Sequence, residues 1–186
     1  MRNTWIRRIS AIRKDGVESA INLTCGLNCI IGASNTGKTR IAKTVEFACG
    51  GKELPFTDKT AYEIAQVTFV TNGGEVSLSR SIHVQNTIHV KSSNPMIVPG
   101  SYSVSSRAGK SINTVLLALL GVESTRRIAT NETYHTVAFT WNAIRHLMIV
   151  PEDQIGRSTP LHSFPQKYLS SNSHTKSVLV ARASSR

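Results

Sequence analysis

The chain has 186 residues, 22 Lys plus Arg against 11 Asp plus Glu, and a formal net charge of +11. That length supports one packed domain with room for a small appendage, and 40% hydrophobic with 18% charged residues reads as an ordinary soluble globular protein. No stretch nears the roughly 18 consecutive apolar residues of a membrane helix and the N-terminus lacks the apolar run of a signal peptide, so a cytoplasmic protein is expected, with polyanionic partners (nucleic acid, phosphate ligands or anionic lipid) favoured by the charge.

Residues 4–12 and 17–24 read as two strands around the turn signal Lys14-Asp15-Gly16. Cys25-Gly26 turns the chain, and Leu27 to Ile31 is a short apolar run fit for a buried strand. The next eight residues are Gly32-Ala33-Ser34-Asn35-Thr36-Gly37-Lys38-Thr39. A helix follows, with Ile41, Ala42, Val45, Ala48 and Cys49 predicted on its buried face and Gly50-Gly51 as its stop.

Residues 63–71 and 75–82 alternate apolar and polar around Asn72-Gly73-Gly74, which predicts an antiparallel hairpin. A third strand at 84–90 extends it into a meander. Residues 92–108, rich in Ser, Pro and Gly, are expected as loop, and 109–120 as a second amphipathic helix capped by Gly121. A strand at 133–139, a short helix to His146 and a strand Leu147-Met148-Ile149-Val150 complete the predicted elements. Beyond residue 157 the chain is Ser-rich with few large apolar residues. It divides into a domain over 1–157 and a tail over 158–186 that is expected to be poorly ordered.

The octapeptide at 32–39 satisfies G-x-x-x-x-G-K-[ST], the phosphate-binding loop. Each residue type has a task. Glycines let the backbone fold tightly and bring its N–H groups to the phosphates. Lys38 places a compact positive charge between the β- and γ-phosphates. The Thr39 hydroxyl is a hard oxygen ligand for Mg²⁺. The helix that begins here aims its N-terminal dipole at the anion. The nucleotide is expected against Gly32, Ala33, Ser34, Asn35, Thr36, Gly37, Lys38, Thr39 and Arg40.

The run Ile21-Asn22-Leu23-Thr24, then Gly26-Leu27-Asn28-Cys29-Ile30-Ile31-Gly32, then Ser34 to Thr39 resembles the start of the SMC/RecN/RecF superfamily. The likeness is closest to the SbcC-type repair ATPases, the ABC-like heads of coiled-coil proteins. The resemblance implies an α/β P-loop NTPase fold, the N-terminal lobe of an ABC-like head with an antiparallel β-subdomain. It also implies ATP with Mg²⁺ as ligands, DNA as a partner of the whole assembly, and a C-terminal head lobe or second head that completes the site. The stretch Ala138 to Ile155 is similar to the approach to the family's Q-loop, whose glutamine reaches Mg²⁺ and the attacking water; Gln154 takes that place. Alternatively, Leu147 to Val150 is a Walker B strand, with Glu152 or Asp153 as its carboxylate, although Pro151 stands where the first acid belongs.

The family's Walker B Asp-Glu pair, Ser-Gly-Gly signature, switch histidine and coiled coil have no counterpart in this sequence. The chain therefore resembles the N-terminal lobe alone, which is expected to bind ATP without efficient turnover. Two other functions stay open: a self-contained P-loop kinase using Glu152 or Asp153, and a non-hydrolysing, nucleotide-gated DNA-binding module.

Other residues are expected to be structural. Arg80 reads as a solvated strand residue that could instead face a phosphate or DNA, and Arg126-Arg127 as a solvated turn that could instead touch a phosphate backbone. His83 and His89 make a poor metal pair at six residues apart. Trp5 and Trp141 are expected in the core. Cys25, Cys29 and Cys49 are odd in number and lack CxxC spacing, so they read as reduced, small buried hydrophobes.

Overall fold

The computed structural model describes residues 4–57, 60–105, 108–123, 127–129 and 136–149. Its elements run β1 (Trp5–Arg13), β2 (Glu18–Asn22), α1 (Lys38–Ala48), β3 (Tyr62–Thr71), β4 (Gly74–Ser81), β5 (Thr87–Ser92), β6 (Gly100–Ser103), α2 (Ile112–Leu119), β7 (Arg127–Ala129), β8 (Thr136–Ala138) and α3 (Trp141–Met148). The protein is α/β, with a six-stranded sheet in the order β2-β1-β3-β4-β5-β6, antiparallel at every pairing, and a small β7-β8 ribbon.

Period-two alternation builds the sheet. Ala65 and Val67 on β3, Val76 and Leu78 on β4, Ile88 and Val90 on β5, and Tyr102 on β6 are buried beneath the helices. Their neighbours Thr68, Ser77, Ser79, His89 and Lys91 take the opposite, open face. Each fully buried Leu or Ile contributes about 2 kcal/mol by leaving water. The α2 stripe of Ile112, Val115, Leu116 and Leu119 closes one cluster with Leu78, Ile88 and Tyr102. Phe47 and Ala48 of α1 join two smaller clusters around Ala65 and Val67.

The helices end as the glycines require. Gly50 takes φ +95° and donates to Phe47 O, while Gly51 donates to Glu46 O at 2.8 Å. Gly121 takes φ +72° after α2, whose N-cap Ser111 accepts a hydrogen bond from Asn113 N. Helix α3 docks through Trp141 N on Asn113 Oδ1 and through an Arg145–Glu46 ion pair at 2.9 Å. Trp141 itself packs against the α2 cluster.

Several expectations are corrected. Leu27 to Ile31 forms no strand, and Leu27 is 99% and Ile31 88% exposed. A buried strand needs neighbours, and among the described residues β1 is the only strand beside β2, with none alongside 27–31. The Asn28 side chain instead folds the segment into a local turn, accepting from Thr24 N and donating to Thr24 O and Gly26 O. On α1, Ala42 is exposed, while Thr44 and Phe47 are buried. The third meander strand starts at Thr87, not 84, because residues 82–86 form the β4-β5 turn, whose Gln85 O accepts from the Arg80 side chain. Strand β6 lies inside the expected loop: Tyr102 is buried and donates its hydroxyl to Val98 O at 2.6 Å, one aromatic sufficing to anchor a short edge strand. Arg127 belongs to β7 and holds Thr136 on β8 through its side chain. Leu147 and Met148 continue α3, so no strand begins there; Val150, Glu152, Asp153, Gln154 and the tail 158–186 lie outside the described residues.

Candidate functional site: the loop at 32–40

The loop between the turn at Asn28 and helix α1 is curled, with turn geometry at Ser34-Asn35 and bends at Thr36-Gly37. Two residues enter the left-handed region, Asn35 at φ +62° and Gly37 at φ +90°. Asparagine and glycine are the residues that tolerate it best. Gly37 is the N-cap of α1, where the chain passes from loop to helix in one residue. Thr36 closes the turn internally by donating Oγ1 to Ala33 O at 2.8 Å. At Gly32, an added Cβ would sit 3.1 Å from Thr36 Oγ1, tight for any side chain.

Lys38, the first residue of the helix, folds back over this loop. Its Nζ donates to Gly32 O at 2.8 Å and Ala33 O at 2.5 Å, and lies 3.5 Å from Thr36 Oγ1. The ammonium thus ties the beginning of the loop to its end. Residues 32–36 and 38–40 are all exposed, so the charge stands at the surface.

The helix start reinforces it. No side chain caps α1 and no acid stands in its first turn. Of its first N–H groups, Arg40 N turns back to Gly37 O at 3.0 Å, while a helix leaves its leading donors without intrahelical acceptors. The helix dipole, Lys38 and Arg40 therefore combine on one surface with no local carboxylate to cancel them. Such a surface attracts an anion. Thr39 places its hydroxyl on the same first turn, an oxygen donor of the type Mg²⁺ takes.

Other sequence-selected residues scatter. Arg80 is buried at 4% exposure, contrary to the solvated strand position expected. Nε and Nη2 donate to Gln85 O, and Nη1 to Phe47 O and Gly51 O. Desolvation lowers its pKa to about 10. It closes the C-terminal end of α1 and faces no open phosphate position. His83 lies 3.7 Å from Glu63, and His89 pairs with Ser101; among the described residues no group of three or more ligating side chains could hold a metal. Cys25 and Cys29 are exposed, against expectation, while Cys49 is buried, its thiol pushed up to about 12 by burial and then by the Glu46 charge.

One feature escaped the sequence reading. A hollow of about 610 Å³ on the open face of the sheet is lined by Arg7, Arg8, Asn22, Leu23, Thr68 and Glu75. Its signal was the Arg7-Arg8 doublet, which interrupts an otherwise alternating strand. Comparison with protein-family models yields no match to this chain, and none is found among curated proteins.

Proposed function

We propose that this chain binds a nucleoside triphosphate with Mg²⁺ through the loop at 32–40, as the N-terminal lobe of an ABC-like head in a DNA-repair, chromosome-maintenance or defence ATPase of the cytoplasm. The observation that carries the nucleotide reading is the Lys38 ammonium, held over its own curled loop by Gly32 O and Ala33 O at the uncapped start of α1. A triphosphate would draw Nζ from these carbonyls to a stronger, charged acceptor. Thr39 is the residue that would hold Mg²⁺, which supplies charge neutralisation of the phosphates. Gln154 keeps the metal- and water-sensing role that the family resemblance implies, and ATP rather than GTP rests on that resemblance too.

The wider reading, a lobe that needs a partner to hydrolyse, draws support from the apolar segment before the loop. Leu27, Ile30 and Ile31 are exposed within five consecutive residues that directly precede Gly32. A C-terminal lobe, or a second head, is the surface that would cover them and bring the missing acid pair and signature to the phosphates.

Calorimetric titration of the chain with Mg-ATP and Mg-GTP tests the nucleotide reading. Lys38→Ala should weaken ATP binding at least about tenfold, the loss of one charge-assisted contact. Equal affinity in the wild type and Lys38→Ala, or no binding to either, overturns it.

A further inference from the structure

The register of β1 carries an observation that the phosphate loop does not use. Ile6 pairs with Phe69 and Arg8 with Thr68, so Arg7 is an extra residue in a β-bulge. Without the bulge, successive side chains would alternate, and Arg7 and Arg8 would leave the sheet on opposite faces. With it, Ile6 and Ile9 both pack toward the helices, and both arginines line the same hollow on the open face. Bulges of this kind re-aim side chains next to functional surfaces.

The hollow continues into a second one of about 420 Å³ that shares Thr68 and Glu75 and adds Ser77, Lys91 and Ser93. Together they form a shallow polar track across β1, β3, β4 and β5, floored by hydroxyls and amides and bearing Arg7, Arg8 and Lys91. Two acids face the same track. Glu75 pairs with Arg7, and Glu18 holds Arg8 at 2.7 Å. The two pairs differ in character. Arg8 is fixed by Glu18 through both Nε and Nη2 and by Asn22. Arg7 places Nη1 alone on Glu75, with side chains 58% and 47% exposed. Exposed pairs of that kind are worth little and exchange readily.

We propose that this open face binds the sugar-phosphate backbone of duplex DNA, with Arg7 and Lys91 contacting phosphates, Arg8 positioned beside them, and Glu75 as a built-in competitor for Arg7. Charge complementarity carries the choice of occupant. Two guanidiniums and a lysine stand against two carboxylates among neutral hydrogen-bonding groups, which leaves the track one positive charge in excess in a chain of net charge +11, and Leu23 is the one large apolar side chain lining the two hollows. Phosphate contacts use this chemistry: arginine and lysine with Ser, Thr, Asn and Gln around them. The proposal names a surface for the DNA part of the function above and is independent of its nucleotide part.

The test is fluorescence anisotropy of a short labelled DNA duplex against the full chain, without nucleotide, at roughly 0.05 and 0.2 M salt. Arg7→Ala combined with Lys91→Ala should weaken binding about tenfold or more and flatten the log–log salt dependence by about two. Glu75→Gln keeps the hydrogen-bonding shape but frees Arg7, and should tighten binding by about threefold and steepen the salt dependence. Circular dichroism confirms that each variant is folded, and Glu75→Gln serves if the double variant is not. Wild-type affinity in both variants, weaker binding by Glu75→Gln, or loss of binding to phosphatidylserine vesicles but not to DNA overturns the proposal. Lys38→Ala should bind the duplex as the wild type does, so failure of this surface and failure of the nucleotide site are read separately.

Discussion

The guanidinium carbon of Arg80 lies 4.0 Å from the centre of the Phe47 ring, while Nη1 donates to the carbonyl oxygen of the same residue at 2.6 Å. One side chain therefore holds both the ring and the backbone of the last turn of α1. It also reaches Gly51 O, just past the helix, and Gln85 O in the turn between β4 and β5. A cation near a helix C-terminus meets the negative end of the dipole, and carbonyl acceptors with a ring face offset the cost of its burial.

Replacing Arg80 should be among the most damaging changes in the described chain. Arg80→Met leaves the buried carbonyls of Phe47 and Gly51 and the part-buried carbonyl of Gln85 short of a donor, and should destabilise the protein by about 3 kcal/mol or more. Urea melts would show this as a lower midpoint at unchanged slope. Arg80→Lys should recover only part of the loss, because one ammonium cannot span acceptors on both sides.

Gly74 carries two constraints at once. Its φ is +133°, and an added Cβ would lie 2.9 Å from the backbone carbon of Ser93. Neither relaxes by a side-chain rotation. Gly74→Ala should cost about 2–3 kcal/mol and lower the thermal midpoint by several degrees. Gly16→Ala serves as a control: its φ is also positive, at +83°, but nothing lies within 4 Å of the added Cβ, so the smaller backbone strain alone remains, about 1 kcal/mol.

Alkaline titration should expose Cys49. Its thiol ionises near 9 when unfolded and is pushed up to about 12 in the fold. Above pH 9 the unfolded chain releases this proton first, the native state binds more protons, and stability falls as pH rises. Arg80 acts in the opposite sense from about pH 10, where its lowered pKa relieves a buried charge. Between pH 9 and 10, then, the wild type should lose about 1 kcal/mol more stability than Cys49→Ala. Parallel profiles for the two would refute the assignment.

The segment before the phosphate loop should be indifferent to polarity in this chain alone. Leu27 and Ile31 are almost fully exposed, so Leu27→Ser with Ile31→Ser should change unfolding free energy by less than about 0.5 kcal/mol. A loss of 2 kcal/mol or more, the scale of a large-to-small change in a core, would show that the segment is packed after all. The same double variant should reduce self-association in light scattering, since exposed apolar side chains are adhesive.

Much of the local structure was legible because it is encoded over a few residues. Alternation around Asn72-Gly73 marked the β3-β4 hairpin, whose register runs from Ile64↔Ser81 to Thr71↔Gly74. The apolar spacing after Lys38 marked α1, and Gly50 marked its end. The glycine-framed loop ahead of it was visible for the same reason: tight turns and helix starts are demanded by the backbone freedom of particular residue types.

Where the chain turns, coils and alternates, and which residues make up the loop before α1, follows from local residue order. Which of those residues are buried follows from the assembled fold. Arg80 and Leu27 show why. A charged strand residue sank to 4% exposure because two distant carbonyls, one from the following turn and a ring were assembled around it, while a leucine in an apolar run stayed 99% exposed because no strand lay beside it. Conformational preference is a property of a few consecutive residues, whereas burial depends on neighbours that folding brings from elsewhere in the chain.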